Sequence, residues 1–272
     1  MTDWRSYDTI ADAYERAWGP RFQTVARHLL ALASPVRGAR LLDLGAGTGT
    51  VPAALGDEVR DLSVIVGCDL SARMLDHARQ RVPRLRVVVA NAAHLPFRAS
   101  SFDLATANCV LSHVVEYQRC LAEVVRVLAR PGAFAMASWG SPSDPYANTW
   151  KALLDGVLGT GTVQRTGDLV APSEAHFSSA QNVRAALVDA GFGATRIEGF
   201  ELTHEFSVDG YLADRELGSS GRFGRHALGE AEWRRFLEGA KGEFVRRFGD
   251  RFTYRRPVVL GIGTLALEGG TQ

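Results

Sequence analysis

The stretch "LLDLGAGTGTVPAAL", residues 41–55, sets Gly45, Gly47 and Gly49 at alternate positions between an apolar run and a helix-forming run. Alternate glycines let the chain turn with positive φ and let a ligand approach the backbone with no Cβ in the way. The stretch therefore reads as a ligand loop placed after a strand. Glycine turns of this kind serve dinucleotides, nucleotide phosphates and adenosyl sulfonium compounds alike. A dinucleotide fingerprint wants G-x-G-x-x-G and a phosphate-binding loop wants a Gly-Lys-Ser/Thr ending, whereas this loop reads D-x-G-x-G-x-G. Asp43, two residues before Gly45, repels a pyrophosphate and suits a ligand carrying an ammonium group. Asp69 ends the next apolar run 24 residues after Gly45, where a carboxylate can accept both hydroxyls of a ribose.

Outward from the loop, "ARLLDLG", "LSVIVGCDL", "LRVVVANA", "FDLATANCV" and "GAFAMASW" read as buried strands. Between them "GTVPAALGDEV" reads as a short helix and "SARMLDHARQRV" as a helix capped by Ser71. In "QRCLAEVVRVLA" the residues Leu121, Val124, Val125 and Leu128 form one apolar helical stripe, which Arg130-Pro131-Gly132 then stops. Such alternation with unbroken apolar strands means a parallel sheet covered on both faces, an α/β doubly wound fold. Ligands of these sheets lie at the carboxyl ends of the strands, where Gly45, Asp69, Asn91, Asn108 and Trp139 fall.

Beyond Trp139 the rhythm changes. Residues 141–177 are rich in Gly, Pro and Ser around one short helical patch, which predicts an insertion. "SSAQNVRAALVDAGF" predicts a helix with Ser178 and Gln181 as a capping box and Gly191 as its C-cap. "ATRIEGFELTHEF" predicts a strand, "EAEWRRFLEGAKGEFVRRF" a long amphipathic helix, and "RFTYRRPVVLGIGTLAL" a final strand with Pro257 at its edge or at a bulge. The 272 residues are expected to form a single domain. Within it, residues 1–33 are a lid and first helix, 39–139 the core that holds the ligand, 141–177 the insertion and 178–266 the rest of the sheet and its helices.

Apolar residues make up 46% of the chain and charged ones 22%, with a formal net charge of +1, so there is no electrostatic footprint for nucleic acid or a membrane. Cys68, Cys109 and Cys120 show no C-x-x-C spacing, so neither a metal site nor a disulfide framework is expected. A reducing cytoplasm is the simplest home. The N-terminus is too polar for a signal peptide, and no apolar run approaches the length that spans a bilayer. Only Lys151 and Lys241 are lysines; nearly all the basic charge is arginine.

Five segments in order, "YDTIADAY", "LLDLGAGTG", "GCDLSARMLDHAR", "ANAAHLPFRASSFDLATANCVLSHV" and "LAEVVRVLARPG", resemble the class I S-adenosylmethionine-dependent methyltransferases, in the branch of the ubiquinone and menaquinone biosynthesis enzymes. The resemblance covers residues 7–139, and "LVDAGF" with the two strands after it fits more loosely. It implies a Rossmann-like seven-stranded sheet whose last strand runs antiparallel, and S-adenosylmethionine as methyl donor with S-adenosylhomocysteine as product. By the same resemblance Gly45, Gly47 and Gly49 pass beneath the methionyl and ribose portions, and the charge of Asp43 counts it with them among the cofactor-binding residues. Asp69 holds the ribose hydroxyls, and Leu70 and Met74 sandwich the adenine. Asn91, with Ala92 beside it, stands where the family usually has an acid for the adenine amino group; an amide oxygen can accept the same hydrogen bond. Asn108, Cys109 and Val110 line the end of the fourth strand near the sulfonium, and Tyr7 and Tyr14 become a lid over the methionyl end.

Pattern alone reads some of these residues otherwise. Tyr7, Ile10, Ala11 and Tyr14 lie at helical spacing, as a core stripe does, and Cys68 and Cys109 sit in apolar strands as inert thiols. Glu123 and Arg126, at i and i+3, read as a solvated ion pair or strand anchor. Trp139, Tyr146, Trp150 and His176 offer walls for an apolar acceptor pocket, or packing. Methyl transfer needs chiefly in-line positioning, which can supply ~7–11 kcal/mol, and a base only when the acceptor is a hydroxyl or a protonated amine. His113 is the histidine placed for that role. The expected acceptor is a small molecule methylated on oxygen, nitrogen or carbon, in natural-product or quinone-type biosynthesis, by a monomer or homodimer. Two other classes stand beside it. A nucleic-acid methyltransferase of this fold carries an N-P-P-Y type motif where this chain has Asn108-Cys109-Val110-Leu111. An S-adenosylmethionine-binding protein with a pericyclic or scaffold role shares the binding residues.

Overall fold

The computed structural model describes residues 4–141 and 144–267. The first three residues of the expected lid, Pro142 and Ser143 of the expected insertion, and residues 268–272 lie outside them. The apolar runs form strands β1 (Arg40–Leu44), β2 (Val64–Asp69), β3 (Arg86–Val89), β4 (Phe102–Asn108), β5 (Leu128–Trp139), β6 (Ala194–Ser207) and β7 (Arg251–Leu265). They make one sheet of order β3-β2-β1-β4-β5-β7-β6. Strands β1 to β5 are parallel, and β7 inserts antiparallel between β5 and β6. The strand order reverses between β1 and β4, which opens a crevice at their carboxyl ends.

The helices are α1 (Ala11–Ala33), α2 (Thr50–Ala54), α3 (Ala72–Arg81), α4 (Tyr117–Val127), α5 (Pro145–Leu158), α6 (Thr162–Val170), α7 (Glu174–Phe177), α8 (Ala180–Asp189), α9 (Val208–Leu217), α10 (Ser219–Leu228) and α11 (Glu230–Phe248). Ser71 caps α3 as its sequence predicts, its Oγ accepting from Met74 N–H at 3.1 Å. The cap of α8 falls one residue later than expected. Ser179 Oγ accepts from Asn182 N–H, while Ser178 Oγ donates back to the Ala175 carbonyl to close α7. Helix α4 stops at Val127, and Leu128 already opens β5, which carries Arg130-Pro131-Gly132 as its irregular start. Residues 141–177 hold three helices rather than one patch, the first capped by Asp144, whose Oδ1 accepts from Tyr146 and Ala147 N–H. Pro257 sits on an interior strand, neither at an edge nor at a bulge. Its β5 neighbour ends at Trp139 opposite Val258, so the missing N–H falls just past that ladder.

One apolar cluster lies on each sheet face, one gathering Val124, Phe134 and Leu187 beneath α4 and α8, the other Leu29, Leu41 and Ala135 beneath α1. A third cluster, with Trp150, Tyr211, Trp233 and Phe244, packs α5, α9 and α11 together outside the sheet. The C-terminal half of α1 belongs to the sheet: Val25, Ala26 and Leu29 are fully buried.

Candidate functional site

The glycine loop crosses the carboxyl end of β1 with Gly45, Gly47 and Gly49 all at positive φ (57°, 52° and 79°). Their roles differ. A Cβ on Gly45 would meet Val110 at 2.5 Å, and one on Gly49 would meet the Ala78 backbone of α3 at 3.0 Å. A Cβ on Gly47 would meet only the Gly45 carbonyl, at 3.9 Å. Gly45 and Gly49 thus let neighbouring elements close in, while Gly47 leaves the floor of a cradle open.

That cradle is one end of a cavity of about 840 Å³. Asp69, at the end of β2, accepts from Gly47 N–H through Oδ2 at 2.9 Å and from Ser71 N–H through Oδ1 at 2.8 Å. Burial pushes its carboxyl above the ordinary value, against the pull of those backbone donors. Each oxygen keeps a second acceptor direction, the geometry that a vicinal diol requires. Leu70 is 72% exposed yet lines the cavity, an apolar surface held out for a flat ligand, and buried Met74 lies below it. Asn91 folds into a turn, its Oδ1 accepting from Ala93 N–H at 2.9 Å, and lines the same end with Ala92.

At the end of β4, Asn108, Cys109 and Val110 line the middle of the cavity. Cys109 holds φ at +60°, a costly conformation for a residue with a side chain that clusters at functional sites. Its thiol is buried and pushed up to about 12, so it stays protonated. Asn108 Nδ2 donates to the Phe22 carbonyl at 3.2 Å and fastens α1 to the strand end. Tyr7, Tyr14 and His113 face one another here, with ring centroids 5.9 Å apart for the two tyrosines and 6.0 Å for Tyr7 and His113. The Tyr14 hydroxyl is driven well above its ordinary value by burial. His113 Nδ1 lies 2.9 Å from the Val170 carbonyl. A carbonyl only accepts, so the neutral ring carries its proton on Nδ1 and presents Nε2 as the acceptor.

The far end of the cavity is walled by Trp18, Arg21 and Phe22 of α1, Trp139 of β5, Asp214 and Arg215 of α9, Tyr254 and Arg256 of β7, and Glu174 of α7. Most of this wall went unread in the sequence. Its residues come from distant elements, and no local spacing joins them.

Five expected site residues fall elsewhere. Asp43 is 1% exposed beneath the loop rather than in the cavity. Its Oδ1 accepts from Thr106 Oγ1 at 2.8 Å, its Oδ2 has no hydrogen-bond partner among the described residues, and burial raises its carboxyl to about 7. Gly49 packs on α3. Tyr146 stacks on Phe252 at 4.0 Å, and Trp150, 2% exposed, donates Nε1 to Ser220 Oγ at 3.0 Å, so both build the third core. His176, on α7, stacks on Tyr117 of α4. These aromatic side chains lie at the spacing of buried helix faces, and the core claims them. Cys68 and Cys120 are buried free thiols pushed up to about 12. Glu123 and Arg126 are an anchor: Glu123 accepts from Leu95 N–H at 2.7 Å while Arg126 donates to the Phe97 carbonyl.

A family model described as a methyltransferase domain matches residues 42–136. The malonyl-[acyl-carrier protein] O-methyltransferase of Geobacter sulfurreducens is 32% identical over 242 residues, covering 86% of each chain. The demethylmenaquinone methyltransferase of Lactiplantibacillus plantarum is also 32% identical, over 72% of this chain and 90% of that one. Several other relatives are matched over only about half of their length. In fold, the YcgJ protein of Bacillus subtilis superposes with a TM-score of 0.61 at 20% identity, over 90% of this chain and 99% of that one. The chain belongs to the class I S-adenosylmethionine-dependent methyltransferases, in the branch similar to the ubiquinone and menaquinone enzymes. It is an enzyme that takes its methyl group from S-adenosylmethionine, and the cradle floored by Gly47 and flanked by Asp69 and Leu70 fits that cofactor. No helix among the described residues is long and apolar enough to cross a membrane.

Proposed function

We infer that the enzyme methylates a compact, partly apolar small molecule, on oxygen, nitrogen or carbon, seated between α1 and the ends of β4, β5 and β7. The observation that carries this reading is the second half of the cavity. Trp18, Phe22, Trp139 and Tyr254 wall it beyond the cradle, and the whole volume of about 840 Å³ stands at the upper end of the ~300–1,000 Å³ range of small-molecule sites, room for a second ligand beside the cofactor. What supports an acceptor seat is the lining from α1, α7, α9 and β7, in place of Tyr146, Trp150 and His176, which lie outside the cavity lining.

S-adenosylmethionine, when bound, supplies a methyl group already activated by its sulfonium. The cradle residues Gly47, Asp69, Leu70, Met74 and Asn91 would hold it, with Asn108, Cys109 and Val110 beside the reacting end and Tyr7 and Tyr14 covering it. The aromatic walls orient the acceptor, which supplies ~7–11 kcal/mol when the approach is in line. His113 is the base for a hydroxyl or ammonium acceptor, since the Val170 carbonyl fixes its tautomer with Nε2 bare. Relatives named for malonyl and menaquinone acceptors support a role in natural-product or quinone-type biosynthesis. The near-neutral charge supports a monomer or homodimer with no nucleic-acid or membrane partner only in leaving no basic footprint, and the three free buried thiols support a reducing, cytoplasmic setting. Incubation with isotope-labelled methyl donor and a panel of small hydroxy, amino and activated-carbon compounds tests the reading. A labelled small-molecule product is expected, and label found only in a polynucleotide would refute it.

A further inference from the structure

We propose that the acceptor carries a carboxylate and that Arg215 and Arg256 hold it as a handle at the far end of the cavity, an inference that rests on the small-molecule reading above. Three guanidiniums, Arg21, Arg215 and Arg256, line that wall with two carboxylates, Asp214 and Glu174. Asp214, 3% exposed, takes both Arg21 and Arg215, and also accepts from Trp18 Nε1. Glu174 takes Arg256 through a single Nη2 donor at 2.7 Å. One positive charge on this wall is therefore left over, carried by guanidiniums that are partly buried and only 14–23% exposed.

The donors are left over as well. A guanidinium has five N–H groups, and both Arg215 and Arg256 spend only Nη2 on a protein acceptor. Nε of each is buried with no hydrogen-bond partner among the described residues, so a ligand in the cavity would meet the terminal nitrogens of the two guanidiniums. Aromatic faces hold the two planes in place, Arg256 over Trp139 at 4.5 Å and Arg215 over Tyr211 at 5.1 Å. A pre-set planar fork matches a carboxylate in a way a point charge does not. The local field is felt by His204, which burial first and Arg21 second push below the ordinary histidine value. Trp18, Phe22 and Tyr254 give the rest of the acceptor an apolar bed. A carboxylate tied to guanidinium is a weak nucleophile, so the group orients the acceptor and another of its atoms receives the methyl.

Calorimetry on protein saturated with S-adenosylhomocysteine tests this with salicylate and benzoate against their neutral amides, salicylamide and benzamide. Each carboxylate is expected to bind at least about tenfold more tightly than its amide. Arg256→Gln is expected to erase most of that preference, with Arg256→Lys intermediate because it keeps charge without the fork. Equal affinities for acid and amide, no binding by any of the four, or an undiminished preference in Arg256→Gln would each overturn the proposal. Binding of S-adenosylhomocysteine is measured first in every protein, so failure of the cofactor site is told apart from failure of the anion site. An Arg256→Gln variant that loses cofactor affinity but keeps the acid preference would assign the arginine to the methionyl carboxylate, and this too overturns the handle.

Discussion

Replacing Asp69 by alanine is expected to weaken S-adenosylhomocysteine binding by two to four orders of magnitude. Each carboxylate oxygen already accepts one backbone N–H, from Gly47 and from Ser71, and so has one acceptor direction left for one ribose hydroxyl. Loss of two charge-assisted hydrogen bonds at ~1.5–3 kcal/mol each sums to ~3–6 kcal/mol, or ~10²–10⁴-fold in Kd. The same substitution strips the Gly47 and Ser71 N–H groups of their acceptor, so stability of the ligand-free protein should fall as well. Asp69→Asn separates the effects, because an amide oxygen restores one acceptor and removes the charge. Titration calorimetry gives the affinities, and urea unfolding of the ligand-free proteins gives the structural cost. A loss of less than about fivefold in binding by a folded Asp69→Ala protein would remove Asp69 from the ribose site.

Asp43→Asn should flatten part of the pH dependence of stability. Burial lifts the folded-state carboxyl from 3.8 to about 7, so its contribution is full below pH ~4 and is lost as the pH rises toward 7, by about 4 kcal/mol at 1.36 kcal/mol per unit; urea unfolding with the same slope in both proteins would contradict this. Asp214→Ala should cost ~3–5 kcal/mol in the same assay, since it leaves two partly buried guanidiniums without their shared buried carboxylate, and a change under about 1 kcal/mol would show that water already screens the cluster. His113→Ala should lower turnover on a hydroxyl acceptor by ~10²-fold or more with S-adenosylhomocysteine affinity nearly intact. Parallel loss of both would make the ring a wall of the cofactor cradle.

The cofactor half was legible in the sequence because local spacing encodes it. The glycines, Asp69, the Ser71 cap and the apolar strands each act on near neighbours, and the β/α rhythm then brings their strand ends together. The acceptor half has no such code. Arg21, Arg215 and Arg256 come from α1, α9 and β7, and among so many arginines none stands out by type or position. Trp150 and Tyr146 misled for a related reason: an aromatic residue beyond a strand end looks the same whether it faces a pocket or a third core. Helix α9 carries little periodicity in "VDGYLADREL", and α10 follows it across Gly218 with two further glycines inside it, which weaken a helix reading; tertiary packing against Trp150 and Trp233 holds them in place.

Helix α1 has a consequence for how the enzyme is loaded and emptied. Its 23 residues make a rod about 34 Å long at ~1.5 Å per residue, with Trp18 and Phe22 on the acceptor and Val25, Ala26 and Leu29 in the sheet core. Gly19 and Pro20 interrupt its hydrogen-bond ladder between its two halves, because proline has no N–H to donate, so the N-terminal turns can bend against the anchored C-terminal half. Ahead of Ala11 the chain is held by Ser71 Oγ donating to Asp8 at 2.5 Å and Arg222 donating to the Ser6 carbonyl at 2.9 Å, and by Trp4 set edge-on to Phe223 and Tyr7 edge-on to His113. Exchange of spent cofactor is expected to break these polar and aromatic contacts together, and only the polar share of that cost is open to tuning by ionic strength.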